Sequence, residues 1–141
     1  MEKEFVPYEL ALKLKELGFK EECMGLYEEV DNNIKLLYAD PVVTLYLLNT
    51  AKHEGRIYHC KSPLWQQAFD WFREEKDLLN HLTTHLNTWG EDGALETYYG
   101  YRIMIDKDGW KCDVWEKLSK YETYEEARQA CLEKLIEIVE K

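Results

Sequence analysis

The middle of the sequence carries one strongly amphipathic segment, residues 62–75, which constrains the fold more than any other stretch. Ser62 and Pro63 predict a helix start, because a serine hydroxyl can cap a helix and proline suits the first helical position. Apolar residues then recur on one helical face: Trp65, Ala68, Phe69 and Phe72, widened by Leu64 and Trp71. Burying each large side chain contributes roughly 1.5–3 kcal/mol. The segment therefore predicts a core helix, and a tryptophan-lined groove is the alternative.

Two further helices are predicted near the ends of the chain. Residues 5–19 predict a helix that Pro7 opens and Gly18 stops, with Phe19 folding back on the last turn. The last helix follows Thr123, which forms a capping box with Glu126. Its apolar residues share one face: Ala127, Cys131, Leu135 and Ile138.

Short apolar runs separated by turn residues predict strands. In the first half they cover residues 23–27, 34–38 and 42–48, the last because valine and threonine favour strands. An extended piece over 56–60 leads into the central helix.

The second half contains one ambiguous run and one clear hairpin. Residues 80–88 fit either a helix or a strand, and their threonines favour a strand. Residues 98–105 and 110–118 predict paired strands joined by a tight turn at 106–109.

These elements together predict an α+β protein of antiparallel strands. The strands form two strand-strand-strand-helix units, with three helices packed on one continuous sheet or two separate ones. The 141 residues suit a single domain, 1–141, with a possible internal pseudo-repeat of 20–78 and 79–141.

The charge balance excludes several partners. The net charge of −10 disfavours general nucleic-acid binding, because an acidic surface repels phosphates. A DNA mimic is the extreme alternative, and solubility is the simpler explanation. No apolar run reaches the roughly 18–20 residues that cross a bilayer, so no membrane partner is expected. Four cysteines without a C-x-x-C pair predict reduced thiols and a cytoplasmic location.

No catalytic motif is present in the sequence. Ser62 is explained as a helix cap, Ser119 lies in a polar stretch, and no glycine-rich phosphate loop occurs. His81 and His85 have the spacing of helical metal ligands, but on a strand they would lie about 13 Å apart. The sequence predicts no enzyme, no metal and no cofactor.

The second half holds more aromatic side chains than one sheet face can cover. They define a candidate interaction surface: Trp89, Tyr98, Tyr99, Tyr101, Trp110 and Trp115. Exposed tyrosine and tryptophan often mark contacts, so the first hypothesis is a non-catalytic protein that binds an unknown protein partner or itself. The alternative is a small-molecule or nucleotide sponge whose aromatics stack bases. Its phosphate contacts would be Arg102, Lys107 and Lys111.

Three blocks carry a resemblance to a family: residues 5–19, 63–73 and 123–137. They resemble an uncharacterised family of small hypothetical proteins from gut Bacteroidota and their phages. The resemblance implies strands after the central helix and an accessory role in a phage or mobile element. It implies no particular chemistry.

Overall fold

The computed structural model describes residues 2–89, 93–107 and 111–140. It divides into two compact units, Met1–Ala68 and Phe69–Lys141. Each unit contains one antiparallel sheet with helices packed on it, so the predicted α+β class is confirmed. The described residues form two separate sheets and four α-helices, one helix more than predicted. The single domain and the internal pseudo-repeat remain predictions.

The first α-helix, α1 (Tyr8–Glu16), follows a short 3-10 helix at Glu2–Glu4. Gly18 has a φ of +97°, which glycine adopts without a side-chain penalty. The Phe19 N–H then donates to the Leu14 carbonyl at 3.0 Å, and the Phe19 ring is buried. The predicted stop and fold-back are therefore confirmed. The helix buries one face: Leu10, Ala11 and Leu14.

The first sheet has four strands in the order β2-β1-β4-β3, each pair antiparallel. The strands are β1 (Gly25–Val30), β2 (Asn33–Tyr38), β3 (Lys52–His53) and β4 (Arg56–Ser62). Asp31 and Asn32 form the turn between β1 and β2, with φ values of 51° and 63°. Both residue types tolerate this left-handed conformation, which a two-residue hairpin turn requires.

Pro41–Thr50 forms a helix, α2, so the prediction of a strand over 42–48 is wrong. The Asp40 side chain accepts a hydrogen bond from the Val42 N–H at 2.9 Å. Pro41 occupies the first turn, where its missing N–H costs nothing. These two start signals outweigh the strand preference of the valines, because strand propensity depends strongly on context.

The central helix, α3 (Trp65–Lys76), begins later than predicted. Ser62 is the last residue of β4, and Pro63 lies between the strand and the helix. The prediction that these two residues cap and open the helix is therefore wrong. The Gln67 side chain caps it instead, accepting from the Leu64 N–H at 2.9 Å. Ser62 is fully buried and donates to a backbone carbonyl of the N-terminal segment at 3.0 Å.

The boundary between the two units falls inside α3. In the first unit, the Trp65 indole is buried and donates to the Lys3 carbonyl at 2.9 Å. In the second unit, the rings of Trp71 and Phe72 meet edge to face at 5.0 Å. The predicted core face is confirmed, since all of its apolar members are buried: Trp65, Ala68, Phe69 and Phe72.

The second sheet has three antiparallel strands in the order β5-β6-β7. They are β5 (Leu78–Trp89), β6 (Ala94–Lys107) and β7 (Lys111–Tyr121). The strand predicted over 80–88 is confirmed. The connection between β5 and β6 and the turn predicted at 106–109 lie partly outside the described residues, which resume at 93 and 111.

The last helix, α4 (Tyr124–Glu140), packs mainly on β6. The Glu126 N–H donates to the Thr123 hydroxyl at 3.2 Å, which confirms the predicted cap. Ala127, Cys131 and Leu135 of the predicted face are buried, whereas Ile138 is half-buried and Ile136, which was not predicted to lie on this face, is buried. The buried residues of α4 are Ala127, Cys131, Leu132, Leu135 and Ile136.

Candidate functional site

The aromatic surface predicted from the sequence is divided between the two faces of the second sheet. Alternate residues of β6 point to opposite faces, so Tyr98 lies on one face and Tyr99 and Tyr101 on the other. Tyr101 is only 4% exposed and contributes almost no surface. Trp110 and the side chain of Trp89 lie outside the described residues.

Three of these predicted contact residues belong to the face that α4 covers. The Tyr101 ring stacks on Tyr121 with centroids 6.3 Å apart, and Tyr99 meets Tyr124 edge-on at 6.3 Å. Trp115 is half-buried on the same face. Burial is the largest cause that raises the pKa of Tyr101, to about 12. These rings therefore pack the second unit rather than forming one continuous exposed patch.

The opposite face carries Arg102. Of the three cations predicted to contact a phosphate, it is the one whose side chain the structure describes. Arg102 forms an ion pair with Glu116, with Nε and Oε2 2.9 Å apart. On the same face the Tyr98 hydroxyl donates to Glu96 at 2.7 Å, and this hydrogen bond is the largest cause that raises the pKa of Tyr98. The side chains of the other two predicted cations lie outside the described residues: Lys107 and Lys111.

The two histidines with metal-ligand spacing lie on a strand. His81 and His85 both belong to β5, where residues four apart share a face but are about 13 Å apart. Across residues 2–89, 93–107 and 111–140, no group of three or more His, Cys, Asp or Glu side chains has the geometry to hold a metal ion.

An apolar surface that the sequence did not predict lies on α2. Four side chains of this helix are exposed, by 47% to 75% of their area, and we call them the α2 face: Val42, Val43, Leu45 and Tyr46. The helix contains no charged residue. Its one buried residue is Thr44, and the helix packs against β4 through that side.

A cavity of about 460 Å³ lies within the first unit, between α1, α2 and β4. Its apolar wall comes from Phe19 after α1, from Leu45 and Leu48 on α2, and from Tyr58 on β4. The strand is irregular here, because Tyr27 and Glu28 of β1 pair with Cys60 and Tyr58, which leaves His59 as an extra residue. Such bulges redirect side chains and are common near functional sites.

The rim of this cavity is cationic. Lys15, Lys20 and Lys61 all line it. The Lys15 ammonium donates to the His59 carbonyl at 2.8 Å. The Lys61 ammonium donates to the Lys20 and Glu21 carbonyls at 3.1 and 3.0 Å. Both charges are thus held at the rim by backbone atoms.

Two further side chains line the cavity beside the lysines, His59 and Cys60. His59 Nε2 lies 3.1 Å from Glu29 Oε2, and the His59 ring meets Tyr8 edge-on at 5.7 Å. Burial raises the pKa of the Cys60 thiol to about 12, so it stays protonated at neutral pH.

No known protein family matches this chain, and no curated protein or solved structure gives a significant match. The described helices include none that is both long and apolar enough to span a membrane.

Sequence reasoning missed both the α2 face and the cavity. The dipeptide Asp40-Pro41 was a helix-start signal that would have revealed α2. The cavity had no comparable signal, because its walls come from three separate parts of the chain: residues 11–20, 45–51 and 58–61.

Proposed function

We propose that this protein acts without catalysis, by binding another protein molecule through the α2 face. The observation that carries the proposal is the exposure of four large apolar side chains within five consecutive residues. Val42 and Tyr46 are 75% and 68% exposed. Isolated exposed apolar residues are common, whereas contiguous ones mark interaction surfaces.

The partner that fits this face best is a second copy of the same chain. Each copy carries a net charge of −10, so two copies repel one another wherever their acidic surfaces meet. The α2 face carries no charge, and it therefore allows close approach without placing like charges together. Tyr46, an exposed aromatic residue, suits the centre of a twofold contact.

The size of α2 limits the strength of this contact. A helix of 10 residues is about 15 Å long, which covers only part of the roughly 800 Å² per partner of a standard interface. Met24 and Tyr38, 54% and 47% exposed, are further apolar residues that precede the helix in the sequence. We expect a weak dimer that dissociates on dilution.

Sedimentation velocity over a dilution series tests the proposal. Val42→Glu and Tyr46→Glu should each shift the chain to monomer at concentrations where the parent dimerises. Leu86→Glu is the matched control. Leu86 is 66% exposed on β5, and its substitution adds the same charge away from α2. An unaltered dimer in both α2 variants would contradict the proposal.

The hairpin surface predicted from the sequence is the competing location for the contact. Trp110→Ala tests it in the same experiment. Loss of the dimer in Trp110→Ala, with the dimer retained in Val42→Glu, would place the contact on the hairpin instead.

The absence of catalysis is part of the proposal and is supported by the state of the nucleophiles. The Ser62 hydroxyl is buried and donates to the Val6 carbonyl at 3.0 Å. Burial raises the pKa of the thiols of Cys60 and Cys131 to about 12. A cytoplasmic location belongs to the proposal as well, because a reducing compartment keeps thiols in this free state. The family resemblance adds an accessory role in a phage or mobile element.

The sponge alternative is less well supported at the residues first named for it. Arg102 is already paired with Glu116 at 2.9 Å, so a phosphate would have to displace a carboxylate.

A further inference from the structure

We propose that the cavity between α1, α2 and β4 binds a small amphipathic anion, a molecule with a compact apolar body and one carboxylate or phosphate group. Its volume of about 460 Å³ lies within the range of roughly 300–1,000 Å³ typical of ligand pockets. Every residue that lines it belongs to the first unit, Met1–Ala68.

The charge of the cavity is opposite to that of the chain. The sequence contains 28 acidic and 18 basic residues. Among the residues that line the cavity are three lysines and neither an aspartate nor a glutamate. Three ammonium groups among the lining residues favour an anion over a cation, although the Glu29 carboxylate lies 3.1 Å from the lining residue His59.

The lysines retain hydrogen-bond donors for a ligand. An ammonium group has three N–H donors. Lys15 uses one on the His59 carbonyl, and Lys61 uses two on the Lys20 and Glu21 carbonyls. Three donors therefore remain on two ammonium groups that the backbone already positions, which reduces the entropy cost of binding.

The apolar wall requires that the ligand has an apolar body. Phe19 and Tyr58 are 6% and 8% exposed and face the cavity with Leu45 and Leu48. A small hydrated anion such as inorganic phosphate would leave this wall in contact with water. A molecule with both parts satisfies the lysines and covers the wall.

Isothermal titration with decanoate, decyl phosphate and decan-1-ol tests the proposal on the full chain, with both anions below their micelle concentrations and the alcohol below its solubility limit. We expect decanoate or decyl phosphate to bind at one saturable site, about tenfold more tightly than the alcohol, because the alcohol lacks the charge-assisted hydrogen bonds. The tighter of the two anions identifies the preferred charged group.

Paired variants locate the site. Lys15→Met keeps most of the side chain and removes the charge, and it should weaken binding of the anion about tenfold. Lys13→Met makes the same change on the same helix away from the cavity and should not alter binding. Leu48→Trp should block binding by filling the cavity. If Leu48→Trp fails to fold, the comparison of Lys15→Met with Lys13→Met still tests the proposal.

Three results would overturn the proposal: equal binding of the alcohol and both anions, equal effects of Lys15→Met and Lys13→Met, or no saturable binding of either anion. Leu45 belongs to both the α2 face and the cavity lining, but Val42 does not line the cavity, so Val42→Glu should bind the anion as the parent does. Failure of the dimer proposal therefore leaves this test intact.

Discussion

Asp40 determines where α2 begins, since its carboxylate accepts from the Val42 N–H at 2.9 Å. We expect Asp40→Ala to lower the free energy of unfolding by about 1 kcal/mol, measured by urea denaturation. Asp40→Asn should retain nearly all of the stability, because asparagine caps helices as well as aspartate does. Equal losses in the two variants would show that the side-chain cap does not stabilise the helix.

The buried thiol of Cys131 should make the protein less stable at alkaline pH. Burial raises the pKa of its thiol from 9.0 to about 12. Between these pH values the unfolded state holds fewer protons than the folded state. The contribution of this thiol to stability is therefore fully present below pH 9 and is lost as the pH rises through this window. Cys60 and Tyr101, whose pKa values are also raised to about 12, act in the same direction.

The measurement is the urea midpoint at neutral pH and at about pH 10 in the parent and in Cys131→Ala. The variant should be less stable at both values but should lose less between them. An identical loss in both proteins would contradict a contribution from this thiol.

At the scale of elements, α2 is the segment whose type was predicted wrongly, as a strand instead of a helix. A pair of valines tests the helix assignment. Val43 on α2 and Val114 on β7 are both 47% exposed. Val43→Ala should raise stability by about 0.5 kcal/mol, because alanine has the higher helix propensity. Val114→Ala should lower it by a similar amount, because alanine is disfavoured in strands. Urea denaturation at low protein concentration measures the stability of both variants. A loss of stability in Val43→Ala would favour the strand that the sequence predicted over 42–48.

The sequence predicted most elements because their signals were local. Gly18 with Phe19 at the end of α1, and Thr123 with Glu126 at the start of α4, act within one or two turns. The start of α3 was misplaced because Ser62 is held by a contact 56 residues away, with Val6, which no local pattern reveals. The cavity is hidden for the same reason.

At the scale of the whole molecule, the net charge makes self-association and binding of a basic partner respond to salt in opposite directions. Two copies of charge −10 repel one another, and salt screens this repulsion over the Debye length of about 10 Å at 0.1 M. We expect the dimer dissociation constant to fall severalfold as salt rises from about 0.02 M to about 0.5 M. Sedimentation measures this, and weaker association at high salt would indicate contacts between opposite charges.

The central claim is that the α2 face contacts the α2 face of a second copy. A mixture of isotope-labelled and unlabelled chains, examined by filtered NOE spectroscopy, tests it most directly. We predict intermolecular NOEs between the methyl groups of Val42, Val43 and Leu45 and the ring of Tyr46. Intermolecular NOEs confined to other residues, or α2 signals that do not change with protein concentration, would contradict it.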